Sequence, residues 1–171
     1  IRGELVEADR LACAIVGTRR ASPYGRWITT KIAAGLARAR VTVVSGLALG
    51  IDGAAHAAAL AAGGRSLAVL AGGLDRIYPA EHEPLAARIE RDGALLSEYF
   101  PGLPTVAGNF VARNRLIAAL GLVTLVCEAG RRSGAMLTAR FAADYGRDVL
   151  AVPGRVGDPG SSGVNEMIRD G

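Results

Sequence analysis

The chain has 171 residues, half of them hydrophobic and 23 of them glycine, so it is long enough to bury a core without disulfide or metal staples. Its two cysteines, Cys13 and Cys127, each sit inside an apolar run with no Cys-x-x-Cys spacing; they exclude a disulfide framework and read as buried thiols in a reducing, cytoplasmic setting. No signal-peptide pattern and no apolar stretch near the roughly 18 residues of a membrane span is present, and the net charge of +4 suits a polyanionic partner without requiring one.

In chain order, short β-branched runs alternate with Ala-rich segments of helical period. The pattern predicts a strand over Ala12 to Val16, a helix over Tyr24 to Arg38, a strand over Val41 to Val44, a helix over Asp52 to Ala62 and a strand over Ser66 to Leu70. It continues with a helix over Glu81 to Arg91, a strand over Ala94 to Ser97, a helix over Asn114 to Leu120 and a strand over Val123 to Cys127. A helix over Ser133 to Tyr145, a strand over Val149 to Val152 and a short helix near Asn165 to Arg169 complete the series. Strands this uniformly apolar are covered on both faces. The expected fold is therefore α/β: an extended Rossmann-like three-layer domain spanning residues 1–171, with a mostly parallel sheet between helices. A start without methionine and a stop just after a helical pattern lead to the expectation that this domain is cut from a longer chain. Right-handed crossovers place the loops that follow the strands along one sheet edge, where open α/β folds bind ligands.

Four of those loops are rich in Gly, Ser and Arg. Gly17-Thr18-Arg19-Arg20-Ala21-Ser22 leads from a strand into a helix, so backbone N–H groups and the helix dipole can meet a phosphate there, with Arg19 adding charge. Alternatively, Gly17 only permits the tight turn. The segment is not a Gly-x-Gly-x-x-Gly fingerprint, and no P-loop occurs anywhere in the chain. In Ser45-Gly46-Leu47-Ala48-Leu49-Gly50-Ile51-Asp52, the aspartate stands four residues before His56 on the same helix face. The two could act as an acid-base pair, but a structural role is favoured, with Asp52 capping the helix and the pair satisfying each other beneath the loop. Gly72-Gly73-Leu74-Asp75, followed by Tyr78-Pro79, permits close backbone approach. Glu128-Ala129-Gly130-Arg131-Arg132-Ser133-Gly134 offers two arginines and a further helix N-terminus.

Asn109-Phe110-Val111-Ala112-Arg113-Asn114-Arg115 differs in kind. A base stacked on Phe110, with Arg113 or Arg115 neutralising neighbouring phosphates, is how single strands are held without sequence reading. Taken alone, Phe110 would be core and the arginines surface charge.

Taken in order, these motifs resemble the DNA-processing protein A (DprA/Smf) family. The resemblance runs through Val16-Gly17-Thr18-Arg19 with Tyr24-Gly25, Ser45-Gly46-Leu47-Ala48-x-Gly50-Ile51-Asp52-x-x-Ala55-His56 and Gly73-x-Asp75-x-x-Tyr78-Pro79. It continues through Ser97-Glu98-Tyr99, Phe110-x-x-Arg113-Asn114-Arg115, Ser133-Gly134-Ala135-x-x-Thr138-Ala139, Val152-Pro153-Gly154 and Ser162-Gly163-x-Asn165. It implies a homodimer that binds single-stranded DNA with little sequence preference and loads a RecA-type recombinase onto it in natural transformation, with no catalytic residues, cofactor or metal. It also implies that the anion pocket maps onto Gly17, Thr18, Arg19, Ser45, Gly46, Ser133 and Gly134, and the stacking and basic element onto Phe110, Arg113, Asn114 and Arg115. The chain departs from the pattern at Val106 and Ala107, where relatives often carry basic residues, at Val111 in place of a common proline, and at Arg40 in place of a frequent glycine. Fewer basic residues mean weaker and less salt-sensitive binding. The competing expectations are a nucleotide-hydrolysing enzyme of the lysine-decarboxylase-like phosphoribohydrolase type, whose Pro-Gly-Gly-x-Gly-Thr-x-x-Glu motif is missing here, and a sensor domain for a small phosphorylated ligand.

Overall fold

The structure, a computed structural model, describes residues 1–103 and 105–171. Pro104, in the proline-bearing loop, lies outside the described residues. One sheet organises the chain. Its seven strands are β1 (Arg2–Gly3), β2 (Ala12–Gly17), β3 (Thr42–Ser45), β4 (Ser66–Val69), β5 (Ala94–Leu96), β6 (Val123–Glu128) and β7 (Asp148–Ala151), in the order β1-β5-β4-β3-β2-β6-β7. Every pairing is parallel except β1 with β5. The helices are α1 (Pro23–Arg38), α2 (Ile51–Ala61), α3 (Glu83–Asp92), α4 (Ala107–Leu120), α5 (Gly134–Asp144) and α6 (Ser162–Asp170).

The central strand β2 shows why three layers form. Its residues alternate between faces. Ala12, Ala14 and Val16 pack with Ile117 of α4, Ala135 and Ala139 of α5 and Val164 of α6. Cys13 and Ile15 pack on the other face with Ala33 and Ala37 of α1 and Ile51, Ala55 and Ala59 of α2. A third cluster seats Ala86 and Ile89 of α3 against Leu95 and Ala68. Both faces of the sheet are thus covered, as the apolar strands require. Burial pushes the Cys13 thiol up to about 12 and the Cys127 thiol up to about 11, so both are protonated at neutral pH and behave as core residues.

Two elements differ from the expected pattern. Strand β1 pairs Arg2 with Leu95 and Gly3 with Ala94, and two residues carry no alternation to read. Its glycine is required: φ is +88°, and a Cβ would overlap Gly93 O. Helix α4 begins at Ala107, seven residues ahead of the expected start at Asn114. Val106 at its N-cap offers no side-chain acceptor, and Gly108 and Asn109 in the first turn have low helix propensity, so nothing local announces this start. Burial of Ile117 and Ala118 against the sheet supplies what propensity does not.

Candidate functional site

The loops after β2, β3, β4 and β6 meet at the C-terminal edge of the sheet. Ser22 caps α1 by accepting from the Gly25 N–H at 2.9 Å. Its own N–H and hydroxyl each donate to a Glu128 oxygen at 3.0 Å. Glu128 is buried, and a side chain at Gly25 would overlap its carboxylate. This carboxylate, at the end of β6, is therefore occupied in holding the first loop onto the strand. On its other side that loop meets Gly50, whose φ is +80° and where a Cβ would overlap Thr18 O. Ile51 N–H donates to Thr18 O at 3.2 Å and completes the junction of the first two loops.

Beneath the second loop, Asp52 accepts from the Gly46 N–H at 3.1 Å and the Ala48 N–H at 3.4 Å. His56 Nε2 accepts from the Leu47 N–H at 3.3 Å, while Nδ1 lies 2.7 Å from Ser66 Oγ. Because the Ser66 hydroxyl donates to Val43 O at 2.9 Å, the His56 proton resides on Nδ1 and the ring is neutral. Burial, reinforced by the charges of His82 and Arg113, drives the His56 pKa down to about 3. His82 Nδ1–H donates to Leu47 O at 2.8 Å. The two histidines thus grip both backbone groups of Leu47, a buried residue held at φ +57°. Both residues are structural, but not as expected: α2 is capped at Gly50 without a side-chain hydrogen bond, Asp52 instead accepts from N–H groups of the loop before the helix, and Asp52 and His56 bond the loop or the sheet rather than each other.

Arg113 is delivered to the same floor by α4 and is only 4% exposed. Its Nη1 donates to Gly46 O at 2.7 Å and also to Val69 O, joining the ends of β3 and β4. A Cβ at Gly46 would press on the guanidinium at 2.7 Å, so a side chain there would displace Arg113 from its carbonyls. Burial pushes the Arg113 pKa down and the charge of Asp52 opposes it; burial pushes the Asp52 carboxyl up, opposed by Arg113 and the loop N–H groups. Arg113 is accordingly a fixed charge beneath the site. Arg115, two residues on, pairs with both oxygens of Glu98 at 2.5 and 2.7 Å.

Above this floor opens a cleft of about 350 Å³. Of the residues the sequence nominates, it brings together Gly17, Arg19, Phe110, Arg113, Asn114, Ser133 and Gly134. Thr18, Ser45, Gly46 and Arg115 do not line it. Ser45 is fully buried, with its hydroxyl donating to Ile15 O at 2.6 Å. Gly46 borders a narrower recess between Tyr78 and Phe110. Asn114 Nδ2 donates to Gly134 O at 3.2 Å and ties α4 to the start of α5, where Ser133 accepts from the Ala135 N–H at 3.3 Å. On the rim, the exposed Arg19 guanidinium stands 4.8 Å from the centre of the Phe110 ring. Tyr78, 55% exposed, meets the same ring edge-on at 5.7 Å. Tyr78 is a motif residue that the sequence does not assign to the site; an aromatic residue in a Gly-rich loop after a strand is the signal that points to it.

A free cation, an aromatic face and the N-terminus of α5 therefore converge on one cleft, which suits non-covalent retention of a phosphate and a flat ring. Among the described residues, no group of His, Cys, Asp or Glu is placed to hold a metal ion, and no helix is long and apolar enough to cross a membrane.

Comparison with known proteins agrees with this architecture. A family model described as DNA recombination-mediator protein A matches residues 1–171. The chain is 51% identical over 167 residues to a putative DNA processing protein DprA of Mycobacterium tuberculosis, a match covering 98% of this chain and 43% of that protein. It is 46% identical over 172 residues to protein Smf of Escherichia coli, covering 100% of this chain and 46% of that one. The chain thus spans less than half the length of these two relatives. Among solved structures, DNA processing protein A of Streptococcus pneumoniae superposes with a TM-score of 0.90 at 43% identity, over 95% of this chain and 58% of that one. DNA processing protein A of Helicobacter pylori, described for its single-stranded DNA binding mode, also gives 0.90, at 35% identity over 98% and 76%. A molybdenum cofactor binding protein of Rippkaea orientalis, 14% identical with a TM-score of 0.67, shares the Rossmann-like α/β fold alone. The chain belongs to the DNA recombination-mediator protein A family, the DprA/Smf group of DNA-processing proteins.

Proposed function

We propose that this chain is a single DNA-binding domain that holds single-stranded DNA in the cleft and performs no chemistry on it. The observation that carries the reading is Arg19 beside the Phe110 ring at the mouth of a cleft walled by the N-terminus of α5. A phosphate seated against Gly17 and the first turn of α5 meets the positive end of that helix's dipole. Arg19 moves from the ring to that phosphate, and a base takes its place on Phe110; stacking of a base on an aromatic ring is worth ~1–3 kcal/mol relative to alanine. Arg113 keeps the floor electropositive while its hydrogen bonds keep the floor rigid. The description of the Helicobacter pylori relative supports the same ligand. Delivery of the strand to a RecA-type recombinase in natural transformation, assembly as a homodimer and a cytoplasmic location follow from the family resemblance and belong to this reading.

The test is a fluorescence-anisotropy titration of labelled oligonucleotides of several lengths at two salt concentrations. Affinity that rises with length, falls with salt and resists competition by duplex and mononucleotide is expected. Saturation by a mononucleotide would transfer the cleft to a small phosphorylated ligand, and absence of binding would remove the proposal.

A further inference from the structure

The outward face of α1 carries a feature that the cleft does not use. Tyr24 and Trp27 are 48% and 54% exposed, with ring centres 6.0 Å apart and planes tilted by 31°. Trp27 is the chain's one tryptophan and Lys31 its one lysine. Tyr24, Trp27 and Lys31 follow one another at steps of three and four residues, and Arg38 rejoins that face two turns later. The buried residues Gly25, Thr29, Ala33 and Ala37 occupy the side turned to the sheet, so Trp27 points to solvent. The Tyr24 hydroxyl donates to Pro153 O at 3.3 Å, which steadies one ring of the pair.

Charge selects the occupant. Helix α1 contains no aspartate or glutamate, and its neighbour α2 contributes only the buried Asp52. Among the described residues, Arg20, Arg26, Lys31 and Arg38 form no ion pair, and all four are exposed. An aromatic pair flanked by uncompensated cations matches a polyanion with flat rings better than an apolar protein face. The first loop, carrying Arg19 and Arg20, runs from the cleft straight into α1, and Trp27 lies about 6 Å along the helix from its first residue.

We infer that the exposed face of α1 is a second contact track for single-stranded DNA, on which bases leaving the cleft past Arg20 stack against Tyr24 and Trp27 while Lys31 and Arg38 meet phosphates. The inference rests on the DNA reading of the cleft, and a single sample separates the two. Trp27 is its own probe, since stacking of a base quenches indole emission. Oligothymidylates of ~4 and ~16 nucleotides, the span of known site sizes for such modules, are titrated while label anisotropy and Trp27 emission are recorded together. The short strand is expected to bind with little change in emission. The long strand is expected to quench Trp27 strongly and to bind several-fold tighter, and both Trp27→Ala and Lys31→Glu are expected to abolish most of that gain while leaving short-strand affinity unchanged. Long-strand binding with unaltered emission, and with both variants behaving as the parent, overturns the track and leaves the cleft intact. Emission that shifts with protein concentration in the absence of DNA assigns the face to a second copy of the chain and overturns the inference likewise. No anisotropy change at either length removes both proposals.

Discussion

The cleft's floor and its rim each carry an arginine, and the two behave oppositely. On the floor, Arg113, Asp52 and His56 are buried, and each is held by backbone groups of the loops or by the sheet. On the rim, Arg19 and Tyr78 each meet the Phe110 ring, and Arg19 has no ion-pair partner among the described residues. A site that must present one shape to a flexible ligand needs both: a shell whose conformations are fixed, carrying groups that remain free to exchange partners. Substitutions on the floor should therefore appear in stability, and those on the rim in binding.

Arg113→Ala should have the largest effect. It removes the donors to Gly46 O and Val69 O, hydrogen bonds from a charged group worth ~1.5–3 kcal/mol each, and the charge that opposes the burial of Asp52. Arg113→Lys should recover little, because a single ammonium cannot reproduce the planar fork. Urea denaturation of both variants checks this. Unchanged stability with weakened DNA binding would move Arg113 from floor to rim.

Acid should loosen the floor next. The His56 pKa is about 3 in the folded protein against about 6.5 when unfolded. Between those values the unfolded chain takes up a proton that the folded chain does not, so stability falls as pH drops through the window, by up to ~1.4 kcal/mol per unit. Protonation would also cancel the acceptor for the Leu47 N–H. Denaturation midpoints measured from pH 6.5 down to 5, above most carboxylate titration, should decline in the parent. His56→Gln should be less stable at neutral pH but nearly flat across the window, and a parallel slope in both proteins would assign the acid sensitivity elsewhere.

The division between floor and rim was only half legible in the sequence, for a geometrical reason. Uniformly apolar strands such as Ala12–Val16 and the Ser133 cap of α5 announced the sheet and its helices correctly, because burial on both faces and a capping hydroxyl leave local traces. Nothing local marked α4 before Asn114, and its phase decides which arginine is buried. With the helix running from Ala107, Arg113 and Ile117 are four residues apart on the buried face, and Arg115 is turned away from them. Read from Asn114 onward, Arg113 precedes the helix, and both arginines look equally free to meet phosphate. Ser45 misled in a related way: a small polar residue at a strand end suits an anion pocket, but here its hydroxyl satisfies a carbonyl of the neighbouring strand.

The smallest effects test whether the rim is drawn in the right place. Arg19→Ala should leave stability within ~0.5 kcal/mol of the parent, since an exposed side chain without an ion pair contributes little to folding. Its single-stranded DNA affinity should fall by roughly tenfold across all sequences, and the slope of log affinity against log salt should flatten by about one, as expected for one lost phosphate contact. Arg115→Ala also removes an arginine, but one whose charge Glu98 already balances in a partly exposed pair, so both stability and affinity should shift by less than ~0.5 kcal/mol. Equal losses of affinity in the two variants would mean that the strand opens the Arg115–Glu98 pair and crosses the outer face of α4, extending the rim beyond the cleft mouth.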